Sequence, residues 1–172
     1  MNISRRTAAA ATMFAATAVV AAAAWAQAAW PEEDAAAEKR RYIAAVDAVC
    51  HDAERQTDTE RFPVDTAQQQ VAELARSAIA MKAAIGRIAA IRPPEEDAEQ
   101  VNARFLEPAR LIATDLSGYA EQARTALDRH DLEAVQRIVD QSLQPDPRER
   151  AMRAFATTYG FVICAGQEAA SQ

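Results

Sequence analysis

Glycine is scarce in this 172-residue chain: it occurs four times, at Gly86, Gly118, Gly160 and Gly166. That spacing leaves no glycine-rich phosphate loop, and G-x-S-x-G does not occur. Histidine occurs twice, at His51 and His130, and neither stands in E-x-x-H or H-E-x-x-H. The carboxylate-bridged di-iron bundle and the zinc-hydrolase helix are therefore without their ligands. C-x-x-C and C-x-x-C-H are missing too, which removes a further metal pattern and the usual covalent attachment of haem. No stretch alternates apolar and polar residues for long enough to read as a half-buried strand. Lysine is limited to Lys39 and Lys82, with arginine supplying the other basic charges. Together with the abundance of alanine, this points to a high-GC bacterium. The reading names no catalytic residue, no metal ligand, no cofactor-binding residue and no cofactor.

What is present begins with an export signal. "MNISRR" carries Arg5 and Arg6 and no acid, and an alanine-rich run without charge follows from Thr7 to Ala24. It ends in "AQA", with small residues at Ala26 and Ala28. A basic start, an apolar middle and an A-x-A site read as a secretory signal peptide over residues 1–28. The alternative is a retained membrane anchor over residues 7–24, because the run approaches the roughly 20 residues that span a bilayer. Trp25 and Trp30 would then sit at the interface. The Arg5-Arg6 pair also raises twin-arginine export, though the bulky residues that usually follow are absent.

Cleavage after Ala28 leaves residues 29–172 as one helical bundle domain, with 17 basic against 25 acidic side chains. A net charge of −8 repels phosphate backbones, so nucleic acid is excluded as a partner. The two cysteines, Cys50 and Cys164, stand near the ends of this domain. An even count in an exported chain favours a disulfide between them.

Proline cuts the domain into helical lengths. The first helix is expected from near Pro31, with Tyr42, Val46, Val49 and Ala53 on one stripe and Cys50 facing inward beside Ile43 and Val46. A second helix starts at Asp65, where Gln68 three residues on resembles a capping box. Val71, Leu74, Ala78, Met81, Ile85 and Ile88 follow at spacings of three and four, and Pro93-Pro94 ends it. The third segment, about 94–129, opens on a solvated acidic turn, "PPEED". It shows Val101, Phe105, Ile112, Leu116, Tyr119 and Ala123 inward and bends or breaks at Pro108. Asp131 caps a shorter helix through Leu132, Val135, Val139 and Leu143. Asp146, Pro147 and Glu149 open the last, whose stripe is Met152, Phe155, Tyr159 and Val162. The fold class is all-α, an antiparallel bundle of four main helices with one kinked or divided.

"AVCHDAE" sets Cys50, His51 and Asp52 side by side. Successive helical residues point about 100° apart, so an inward Cys50 leaves His51 and Asp52 off its face. The triplet reads as a crosslink beside surface charge rather than as a nucleophile or metal site. The segment from "PPEED" to "ALDRHDLEAVQ" bears some similarity to the second half of small periplasmic haem-b bundles. That likeness implies an early methionine and a late histidine, and neither is present in the first and last helices.

"YIAAVDAVC", "IRPPEED", "ALDRHDLEAV" and "YGFVICAGQ" resemble a group of small exported, two-cysteine helical proteins of high-GC actinobacteria. Tyr42, Asp47, Cys50, Gly160, Phe161 and Cys164 carry the match. Many members are lipoproteins, but this chain has no cysteine near the cleavage site, so lipid anchoring is not carried over. The resemblance implies fold and extracytoplasmic location. The expected function is a non-enzymatic domain that binds an unknown protein or small ligand at the cell envelope. A haem-b-like ligand- or cofactor-binding bundle is the alternative. The export reading predicts that N-terminal sequencing of the exported protein begins at Ala29, whereas recovery of the whole chain in the membrane fraction would establish the anchor.

Overall fold

The computed structural model describes residues 30–57 and 66–166. The expected signal segment, residues 1–28, and the expected cleavage after Ala28 lie outside them. The chain divides into two units, Met1–Glu38 and Lys39–Gln172. Of the first, only the opening turns of a helix are described; the second is the bundle.

The described residues are helical and contain no strand. Helix α1 is Trp30–Gln56 and α2 is Ala67–Ala89. A short 3-10 turn, Glu95–Asp97, leads into α3, Ala98–Val101. A π-helical turn, Asn102–Leu106, joins α3 to α4, Glu107–Asp128. Helices α5, Leu132–Ser142, and α6, Pro147–Tyr159, complete the bundle.

The long pair α2 and α4 forms the spine. Val71 and Leu74, early in α2, pack with Ala120, Ala123 and Ala126, late in α4, beneath Val135 of α5. Ile85 and Ile88, late in α2, pack with Val101, Phe105, Ala109 and Ala113. That crossed order makes the pair antiparallel. Tyr42, Val46 and Val49 of α1 and Met152, Phe155 and Tyr159 of α6 close the core at this second end.

Local chemistry sets the boundaries, in places one step from the sequence reading. The capping box of α2 is Thr66 with Gln69; Asp65, expected as the cap, lies outside the described residues. The Thr66 hydroxyl accepts from the Gln69 N–H at 3.2 Å, and the Gln69 side chain accepts from the Thr66 N–H at 2.9 Å. The box needs only a three-residue spacing, which both pairs satisfy. Asp131 caps α5 by accepting from the Ala134 N–H at 2.9 Å. Asp146 caps α6 through the Arg148 N–H at 2.7 Å.

Pro108 bends the third segment, one of the two outcomes expected, without ending the helix. The chain takes up an extra residue just before it, so that the Glu107 N–H donates to the Asn102 carbonyl five residues back. Proline has no N–H, and its ring crowds the preceding turn; a π turn there relieves both and bends the helix. The extra residue also shifts the inner face. Phe105 and Leu106 are both buried, and beyond them the face is carried by Ala109, Ala113, Ala120, Ala123 and Ala126. Ile112, Leu116 and Tyr119, expected inside, are only half-buried.

Two further stripes are corrected. Leu132 and Leu143, at the ends of α5, are 59 % and 75 % exposed, since only the middle turn reaches α2 and α4. Val162 is exposed, and Phe161, at 1 % exposure, takes its place. The cause is Gly160, whose φ of 107° ends α6 in the left-handed conformation. The chain reverses there, so helical spacing cannot extend to Val162.

Gly160→Ala is expected to destabilise the fold by about 1–2 kcal/mol, because a side chain resists that φ and the added Cβ would stand 3.2 Å from Ile43 Cδ1. Gly86→Ala, in an exposed part of α2 with open space around the new methyl, should stabilise it by about 0.5–1 kcal/mol. Urea unfolding of the two variants measures both effects.

Candidate functional site

Residues of α1 organise the turn that follows α6. Asp47 and Cys50 lie three apart, on one flank of the helix. The Asp47 carboxylate accepts three consecutive backbone N–H groups, from Val162 at 2.9 Å and from Ile163 and Cys164 at 3.1 Å each. Those amides follow the Gly160 reversal and have no helical acceptors, so an anion in their concavity satisfies them together. Phe161 drops into the core, with ring centroids 4.9 Å from Tyr159, 5.1 Å from Phe105 and 6.0 Å from Tyr42. Cys164 is thereby set beside Cys50, and the two are joined in a disulfide with Cα atoms 5.3 Å apart.

The triplet that prompted the catalytic question is dispersed. His51 is exposed. Asp52 is bonded by Arg55 at 2.6 Å and by Arg87 of α2 at 2.9 Å. Hydrogen bonds from these two guanidinium groups hold its carboxyl below the usual range. His130 is also exposed, in a positive-φ turn. Among the described residues no three His, Cys, Asp or Glu side chains are grouped to hold a metal ion.

A second polar cluster was not foreseen. Asp97 belongs to the acidic turn read as solvated; Glu95 and Glu96 are exposed, but Asp97 is only 6 % exposed. It accepts from the Tyr159 hydroxyl at 2.7 Å and from the Gln100 amide, and pairs with Lys39 at 3.2 Å. Lys39 Nζ also stands 4.1 Å from the centre of the Tyr159 ring. Burial opposes the charge on Asp97, but the bonds from Tyr159 and Lys39 and the lysine charge outweigh it and lower the carboxyl. Burial, and then the neighbouring Asp97, push Tyr42 up to about 12. The same causes, with the Asp97 hydrogen bond, raise Tyr159. Both phenols therefore stay neutral at ordinary pH. The Tyr42 hydroxyl is buried without a partner. One signal in the sequence pointed to Asp97: it stands four and eight residues before Val101 and Phe105, on their own stripe.

Beside the disulfide lies a cavity of about 360 Å³. It is bounded by α1, α2, the π turn, α4, α6 and the terminal turn. Ala80, Ala84, Ile85, Ile88, Phe105 and Leu106 are among its apolar walls. Its polar lining is confined to Glu54, Thr57, Ser77 and Arg153. Both cysteines of the disulfide form part of the wall. Sequence patterning reads buried stripes but not the space between them, and alanine at lining positions is what leaves that space open.

Comparison with family models, with curated proteins and with solved structures finds no match. No helix among the described residues is long and apolar enough to cross a membrane.

The disulfide spans 114 positions in the sequence, and closing so long a loop is worth about 2–5 kcal/mol, chiefly by restricting the unfolded chain. Cys50→Ala with Cys164→Ala should therefore lower the melting temperature markedly while preserving helical circular dichroism in the cold, because Asp47 and Phe161 still hold the turn. His51→Ala should leave melting unchanged. Alkylation of Cys50 and Cys164 as free thiols in the denatured, unreduced protein would contradict the bridge.

Proposed function

We propose that this is a non-enzymatic binding domain, exported to the cell envelope, that takes a small apolar ligand into the cavity between α1, α2, α4 and α6. The cavity is the observation that carries this reading. Its volume of about 360 Å³ falls within the roughly 300–1,000 Å³ of small-molecule sites, and an apolar wall with a few polar groups is their usual lining. The disulfide suits an oxidising compartment. The secretory pattern of residues 1–28, and the likeness to exported two-cysteine helical proteins of high-GC actinobacteria, support the location. Asp52 is held by Arg55 and Arg87, Asp97 by Lys39 and Tyr159, and the phenols of Tyr42 and Tyr159 stay neutral, an arrangement that favours binding over acid–base chemistry.

A haem-b-like bundle is the second reading, favoured by Met81 and Met152 in the cavity wall. The chain's donors fit it less well, since both histidines are exposed elsewhere and thioethers alone would have to ligate the iron. Pure protein with a stoichiometric Soret band would establish that reading in place of the first.

The binding reading is tested by filling the cavity. Ala84 is a lining residue, 9 % exposed. Saturable, one-site binding of dodecanol or N-phenyl-1-naphthylamine to the wild-type protein is expected. Ala84→Leu should weaken it by at least about tenfold, about 1.4 kcal/mol, with an unchanged or higher melting temperature because the new atoms enter vacant space. Absence of saturable binding of both probes would refute a ligand cavity.

A further inference from the structure

All four sulfur-bearing side chains of the described residues, Cys50, Met81, Met152 and Cys164, line the one cavity. Phe105 shares the wall. Methionine is the most adaptable apolar side chain, with three rotatable bonds, and its polarisable sulfur makes favourable contacts with aromatic rings. A saturated chain gains nothing comparable from sulfur. The lining therefore discriminates between two kinds of apolar ligand.

Charge and hydrogen bonding narrow the class further. Glu54 and Arg153 are exposed at the rim, and Arg153 is already paired with Glu149 at 2.6 Å. The Thr57 hydroxyl donates to the Glu54 carbonyl at 3.2 Å, and the Ser77 hydroxyl to the Glu73 carboxylate at 3.0 Å. The charges of Glu54 and Arg153 stay at the rim, so a charged group carried in among the apolar walls would be unpaired, which is costly. A neutral occupant complements this lining.

Size supplies the last restriction. An apolar cavity of about 150 Å³ accommodates benzene. The present volume of about 360 Å³ corresponds on that scale to roughly two or three rings. We propose that the ligand is a neutral, flat aromatic molecule of this size, held between the thioethers of Met81 and Met152. The assignment rests on the binding-domain reading above and names its ligand class.

The test compares an aromatic and a saturated probe on the oxidised, exported protein. N-phenyl-1-naphthylamine should bind more tightly than dodecanol. Met81→Leu with Met152→Leu conserves volume but removes both thioethers. It should weaken the naphthylamine about 3- to 10-fold and leave dodecanol within about twofold. If the double variant does not fold, Met152→Leu alone carries the same comparison. Tighter binding of dodecanol, or equal weakening of both probes, overturns the aromatic assignment while leaving the binding domain in place. Failure of both probes to bind wild-type protein overturns the two together.

Discussion

The covalent tie between Cys50 and Cys164 fixes how the turn after α6 meets α1. A disulfide demands that two Cα atoms approach within several ångströms, and here they stand 5.3 Å apart. The backbone is prepared for that approach by two other groups. Gly160 turns the chain back at the end of α6, and the Asp47 carboxylate gathers the next free amides against α1. The crosslink therefore joins surfaces that already fit. Its energetic role falls mostly on the unfolded chain, whose freedom it limits. In the folded chain it forms a wall of the cavity, which couples the oxidised state to the shape of the proposed binding site.

Alanine has two roles in this bundle. On α4 it lets α2 approach closely along Ala113, Ala120 and Ala123, since interaxial distance depends on the side chains at the contact. At Ala53, Ala80, Ala84 and Ala109 it instead lines the cavity. Large side chains at these positions would fill the space and add buried apolar area, worth about 25 cal/mol per Å². A chain that leaves such space open forgoes that stability, and violations of good packing concentrate where function requires them.

The large apolar side chains were legible in the sequence because helical periodicity acts on them directly. On α1 and α2 the stripe residues Tyr42, Val46, Val49, Val71, Leu74, Ala78, Ile85 and Ile88 are buried as read, while Cys50, Ala53 and Met81 pack against the core half-buried. The reading failed where a local event changed the phase. The π turn before Pro108 brought Leu106 inward and gave the later face to alanine, and the left-handed Gly160 exchanged Val162 for Phe161. Asp97 was misread for a different reason. A preference for acids at helix starts is true of the turn as a whole, yet it says nothing about which acid faces Tyr159 and Lys39. Asp47 was visible only as part of a resemblance, because its partners lie more than a hundred residues away in the chain.

The adjacency of Cys50, His51 and Asp52 shows why neighbours in sequence make poor catalytic sets on a helix. Each successive residue is turned by about 100°, so the three side chains serve three different surroundings. Cys50 meets the terminal turn, His51 meets solvent, and Asp52 meets Arg87 of α2. A nucleophile needs its base within hydrogen-bond reach, and the fold distributes these residues in directions that prevent it. The groups that do converge are those spaced for a shared face: Asp47 with Cys50 on α1, and Asp97 with Val101 and Phe105 along the third segment. Convergence on this bundle thus follows helical spacing and the return of the chain at Gly160. The spacing and the return bring together an apolar, sulfur-lined cavity rather than a reactive triad.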